Sequence, residues 1–137
     1  MPFIRANYSV KTDREHTAIA GLSMGGRESL FIGFSMLETF GYIGAFSPAP
    51  GLLPTPALNY PGQFSEAQFT IPEGAPVPYL VLICNGEQDD VVYKTAAYYE
   101  ETLTANGVEH LYYTMPGGHD FTVWKNGLYQ YVKRIFK

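Results

Sequence analysis

The sequence predicts an α/β domain with a mainly parallel sheet flanked by helices. Short apolar runs without polar alternation suit strands covered on both faces. Segments between them space apolar residues three and four apart, as helices with one buried face do. The two kinds alternate along 137 residues, a length that fits a single domain spanning 1–137.

Residues 17–22 (TAIAGL) are the first predicted strand. A glycine-rich turn follows, and residues 27–37 read as a buried helix, because Leu30, Phe31, Ile32, Phe34, Met36 and Leu37 leave little polar surface. Residues 42–46 are the second strand. Residues 47–78 differ in kind: they hold eight of the ten prolines, at 48, 50, 54, 56, 61, 72, 76 and 78. Proline lacks a backbone donor and restricts the residue before it, so regular structure here is short. The segment is expected to run over the surface as a loop above a site.

Residues 79–84 (YLVLIC) are the clearest buried strand. Val92, Ala96, Tyr99 and Leu103 then recur at helical spacing, and Asn106-Gly107 closes that helix through a left-handed cap. Residues 110–115 predict a fourth strand. Trp124, Leu128, Tyr131 and Ile135 form the stripe of a last helix, with Lys133, Arg134 and Lys137 near its C-terminal dipole.

Composition narrows the function. Hydrophobic residues make up 46% and charged residues 16%, which is globular rather than disordered. The formal charge is −4, from 9 basic and 13 acidic side chains with no basic cluster, which argues against a nucleic-acid partner. Cys84 is the one cysteine, so an internal disulfide and a multi-cysteine zinc site are excluded, and no metal or organic cofactor is expected. The apolar runs fall short of a membrane span, and the start, Met-Pro-Phe-Ile-Arg, lacks the apolar stretch of a signal peptide.

Gly21-Leu22-Ser23-Met24-Gly25-Gly26 contains the pattern G-x-S-x-G. That pattern marks a sharp strand-to-helix turn that projects a serine hydroxyl, with glycines on either side where a Cβ is expected to collide. The plainer alternative is a glycine-rich connection with an incidental serine. A nucleophilic serine needs a base and the base an orienting acid, in the chain order Ser, Asp or Glu, His. Glu87, Asp89 and Asp90 follow the third strand, and His119 follows the fourth. Both loops lie beyond the carboxyl ends of parallel strands, where ligand sites form. His16 and His110 fall at the opposite ends of their strands and are expected to be solvated. Spacing does not choose among the three acids. Cys84 reads as a buried small hydrophobe. Trp124 is assigned to packing, with substrate contact as the alternative, and the tyrosines to core and surface filling.

Asn7-Tyr8-Ser9-Val10, Thr12-Asp13-Arg14-Glu15-His16 and residues 18–26, together with Gly117-Gly118-His119-Asp120-Phe121, Val123-Trp124-Lys125 and Gly127-Leu128, resemble feruloyl esterase modules found beside xylanases. These belong to the first carbohydrate esterase family, within a broader esterase D group. The resemblance implies the C-terminal portion of an α/β-hydrolase fold. It places the nucleophile on Ser23, the base on His119 and the acid on Asp89, three residues after the glycine matched by Gly86. The backbone N–H of Met24 is the expected oxyanion donor. Ser47-Pro48-Ala49-Pro50 matches a family segment, so Ser47 and Pro48 are expected to border the acyl pocket, with Trp124 beside them.

The implied activity is hydrolysis of acyl esters on plant cell-wall polysaccharide, releasing ferulate or a related acid, in a secreted setting. Acetyl xylan ester or thioester hydrolysis is the alternative within the fold. A truncated, non-catalytic binding domain is the alternative of another class. Family members carry a long stretch upstream of the elbow, holding further strands and a second oxyanion donor, whereas 22 residues precede Ser23 here. A fragment, a remnant, a homo-oligomer or a complementing N-terminal half are the resulting expectations, with the edge of the first strand as the pairing surface.

Overall fold

Four strands, β1 (Ala18–Leu22), β2 (Tyr42–Phe46), β3 (Leu80–Gly86) and β4 (Leu111–Met115), lie side by side in that order and pair in parallel throughout. Around them pack α2 (Met24–Ser35), α3 (Thr95–Ala105) and α4 (Phe121–Val132), while the short α1 (Pro2–Asn7) is exposed. This computed structural model describes residues 2–92 and 94–137.

Side-chain alternation along the inner strands gives the sheet two apolar faces. Ile43, Ala45, Val81 and Ile83 meet Leu30 and Phe34 of α2 and Ala96, Tyr99 and Leu103 of α3. Tyr42, Phe46, Leu82 and Cys84 turn the other way, toward Tyr131 and Trp124 of α4. Every residue of β2 is buried, so its sequence shows no polar alternation. Strands β1 and β4 are the sheet edges and are partly exposed. The Tyr131 hydroxyl donates to the Ile19 carbonyl at 3.0 Å and ties α4 to the outer strand.

Several boundaries move from their sequence positions. Helix α2 begins at Met24, directly after Ser23, so the glycine pair forms its first turn. Strand β3 continues through Asn85 and Gly86, because both pair with Thr114 and Met115 of β4. Helix α3 closes as expected: Gly107 has φ 69°, Val108 N donates to Leu103 O (2.9 Å) and Gly107 N to Thr104 O (3.1 Å).

Two expectations need physical correction. Residues 47–78 are not solely a surface excursion, since Leu52, Leu53 and Phe69 are fully buried in the larger core. The Tyr99 hydroxyl anchors this segment, donating to Ala49 O (2.9 Å) and accepting from Leu52 N (3.1 Å). His110 is not a solvated histidine either. Its side chain is only 7% exposed, with Nδ1 at 2.8 Å from the Val108 carbonyl. Cys84 is fully buried, and burial pushes its thiol up to about 11.

Candidate active site

Strand β1 ends at Leu22, and the next residue takes a conformation few L-residues adopt. Ser23 has φ 53° and ψ −121°. The surrounding backbone fixes that strain. Ser23 N donates to Phe46 O at 2.9 Å, and Ser23 O accepts from Ala49 N (2.9 Å) and Arg27 N (3.1 Å). A Cβ on Gly21 would run into the Gly25 carbonyl, and one on Gly26 would lie 3.2 Å from Pro48 Cα. The steric case is therefore one-sided. A Cβ on Gly25 meets no heavy atom within 4 Å, contrary to the symmetric expectation.

The imidazole arrives from the loop after β4. His119 stands one residue ahead of Asp120, the N-cap of α4, whose carboxylate accepts from Thr122 N (2.7 Å) and Val123 N (3.3 Å). These backbone donors hold the Asp120 carboxyl below its ordinary pKa. His119 Nε2 lies 2.9 Å from Ser23 Oγ, and Nδ1 lies 2.8 Å from Asp89 Oδ2. The Asp89 carboxylate is fully buried, and its Oδ1 accepts from Val91 N and Val92 N, each at 3.1 Å. An ionised carboxylate only accepts, so Nδ1 carries the proton and Nε2 presents its lone pair to the serine hydroxyl.

Of the three acids after β3, Asp89 reaches the imidazole, while Glu87 and Asp90 are exposed. His16 lies at the other end of β1, hydrogen-bonded to Asp13 (2.6 Å) and Lys11 (2.8 Å). Asp13, Glu15 and His16 there form a cluster with metal-ligand chemistry, largely exposed and remote from Ser23.

The remaining site candidates divide by exposure. Met24 is the first residue of α2, where a backbone N–H has no intrahelical acceptor, and its side chain is exposed. Ser47 and Pro48 are completely buried. Ser47 has φ 44° and donates its N–H to Cys84 O at 2.8 Å, so this pair underlies the turn rather than opening on solvent. Trp124 packs edge-on to the His119 ring, with centroids 4.9 Å apart and planes at 88°. With Leu22, Phe46, Phe121 and Leu128 it lines an open apolar pocket of about 270 Å³ beside the elbow.

Sequence reasoning missed the contacts that hold the acid loop to the histidine loop. Glu87 N donates to Met115 O (2.9 Å), Gln88 N to Gly117 O (2.9 Å) and Gly117 N to the Gln88 side-chain oxygen (2.7 Å). A Cβ on Gly86 would strike the Gly117 carbonyl and lie 2.6 Å from that of Gly118. The Asp120 cap was open to discovery, since an aspartate stands directly before an apolar helical run.

A strained serine between a parallel strand and a helix, joined to a histidine and an aspartate from later strand ends, defines an α/β-hydrolase-like domain with a Ser-His-Asp arrangement. Residues 1–135 match the family described as "Putative esterase", and the chain belongs to that esterase family. The CE1 ferulic acid esterase of the anaerobic fungus Anaeromyces mucronatus superposes with a TM-score of 0.93 at 39% identity, covering 99% of this chain and 50% of that one. An endo-1,4-beta-xylanase/feruloyl esterase of Xylanibacter ruminicola is 26% identical over 144 residues, which is 100% of this chain and 16% of that protein. The iron(III) salmochelin esterase of Escherichia coli is 28% identical over 135 residues, 93% of this chain and 33% of that protein. The chain thus spans a third or less of these two curated relatives and half of the fungal esterase.

Proposed function

We propose that the chain is the serine-bearing part of a carboxylesterase, with feruloyl-type esters of plant cell-wall polysaccharide as its substrates. The observation that carries the reading is the unbroken relay from Asp89 through His119 to Ser23, at 2.8 and 2.9 Å. Both distances fall where proton transfer to and from a hydroxyl is effective.

In this mechanism Ser23 Oγ attacks the ester carbonyl as His119 Nε2 takes its proton. Asp89 holds the imidazole in the required tautomer and stabilises the imidazolium. The Met24 N–H faces the developing oxyanion. His119 returns the proton to the departing alcohol, leaving an acyl group on Ser23. Water, deprotonated by His119, then attacks the acyl-enzyme, and collapse releases the acid and restores the serine. No step calls for a metal or organic cofactor.

Feruloyl specificity is supported by the likeness to the fungal ferulic acid esterase across nearly the whole chain. The open apolar pocket beside Trp124, lined also by Leu22, Phe46, Phe121 and Leu128, is the proposed wall of the substrate site. A secreted setting accompanies this substrate class. The outer edge of β1 is the proposed pairing surface for a further strand, from a second copy or an N-terminal complement.

Ser23→Ala is expected to lower hydrolysis of methyl ferulate by at least about 10³-fold without loss of the fold. Undiminished turnover in that variant overturns the assignment. A fluorophosphonate labels an activated serine, so labelling of the parent alone separates the esterase from a non-catalytic binding domain. A panel of methyl ferulate, acetylated xylan and a thioester ranks the acyl specificities.

A further inference from the structure

We infer that Gln88 is a positioning residue for the base, and this rests on the esterase reading above. His119 and Asp89 sit on loops that follow neighbouring strands, and such loops diverge from each other unless something joins them. Gln88 joins them with two groups at once. Its backbone N–H donates to Gly117 O at 2.9 Å, and its side-chain oxygen accepts from Gly117 N at 2.7 Å. Both polar groups of Gly117 are thereby held by one residue, which directly precedes the acid.

The grip falls where the histidine loop has most freedom to lose. Gly117 has φ 139°, a conformation that L side chains rarely adopt, and a Cβ there would lie 2.6 Å from Val123 Cγ2. Two residues on is His119. Gly118 N, just before it, donates across it to the Asp120 carboxylate just after it at 3.2 Å, and Asp120 caps α4. The base is therefore bracketed: Gln88 fixes the loop before it and the capped helix fixes the chain after it. The Asp89 carboxylate then sets the rotation of a ring whose backbone is already placed.

Gln88 is exposed and touches no core residue through these bonds, so its side chain acts on geometry rather than on burial. Proton transfer is sensitive to such geometry, since a shift of about 1 Å costs on the order of a hundredfold in rate. Losing one of the two bonds permits a smaller displacement.

The test compares Gln88→Met, which keeps the length and removes the acceptor, with Gln88→Glu, which keeps an acceptor oxygen. In the full-length protein, Gln88→Met is expected to lower kcat for methyl ferulate about five- to tenfold with KM changed less than about twofold. Gln88→Glu should return kcat to within about twofold of the parent on the pH plateau. Parent-like kcat in Gln88→Met, or equal impairment of the two variants, overturns the inference.

A second readout does not depend on turnover. Amide hydrogen exchange at Gly117 and Gly118 is expected to rise about tenfold in Gln88→Met and not in Gln88→Glu. Unchanged exchange in Gln88→Met counts against the clamp even if activity falls. A parent that neither turns over esters nor takes a fluorophosphonate overturns the esterase reading instead, while exchange still decides whether Gln88 holds the loop.

Discussion

The nucleophile and its base are held by different physics. Ser23 is fixed by close packing around its own backbone hydrogen bonds: its strained residue sits between β1 and α2, where a Cβ on Gly21 would strike the Gly25 peptide and one on Gly26 would crowd Pro48. His119 is fixed chiefly by hydrogen bonds: Gly117 N and Gly118 N of its loop donate to the Gln88 side chain and the Asp120 carboxylate, and its ring donates to Asp89. Steric fixation has no intermediate settings, because backbone atoms cannot share space. Hydrogen-bonded fixation is graded and can be weakened one bond at a time. The half of the site that accepts and returns the proton is thus the half whose placement can be weakened bond by bond.

Substitutions should expose that contrast. The largest effect is expected from Gly21→Ala, whose methyl has no room against the Gly25 backbone. Urea unfolding should show a loss of about 3 kcal/mol or more, with esterase activity gone. A variant of parental stability would mean that the elbow adjusts, and the distinction between the two halves would fail. Gly86→Ala probes a steric element on the base side, where the new methyl meets the Gly117 and Gly118 carbonyls. Here a surface loop can yield, so kcat should fall about a hundredfold while stability drops by only about 1–3 kcal/mol.

The smallest effect is expected from Asp120→Ala, which removes the α4 cap and the Gly118 contact together. The folded carboxyl titrates below its ordinary value of 3.8, so its contribution is full above that pH and fades as pH falls through the lower, folded value. Melting curves of parent and variant should therefore differ at pH 7 and converge as the pH is taken well below 3.8. A difference that persists unchanged in acid would show that the charge is not what the cap supplies.

The same contrast governs what was legible in the sequence. Strand β2 falls on the residues its pattern indicated, because burial on both faces leaves a continuous apolar run. The elbow was legible because a steric demand selects glycine, and Gly21 records it. The chain order of serine, acid and base placed three side chains that meet across 96 and 30 residues. Choosing Asp89 over Asp90 and Glu87 needed family resemblance, since three acids in one polar loop differ only in where the backbone points them. Leu52, Leu53 and Phe69 were hidden because single apolar residues in irregular, proline-rich backbone carry no period. Gln88 was hidden for a related reason. Its partner is a backbone amide 29 residues away, and backbone amides have no letter of their own.

The 96-residue separation between the serine and its base has a consequence for the newly made polypeptide. A hydroxyl near the beginning of this sequence remains an ordinary alcohol until the imidazole near the end has been synthesised and its helix has docked. Contacts this distant carry a loop-closure cost that slows folding. Ser23 therefore gains its hydrogen-bonded base only once His119 and Asp89 have been made and docked beside it.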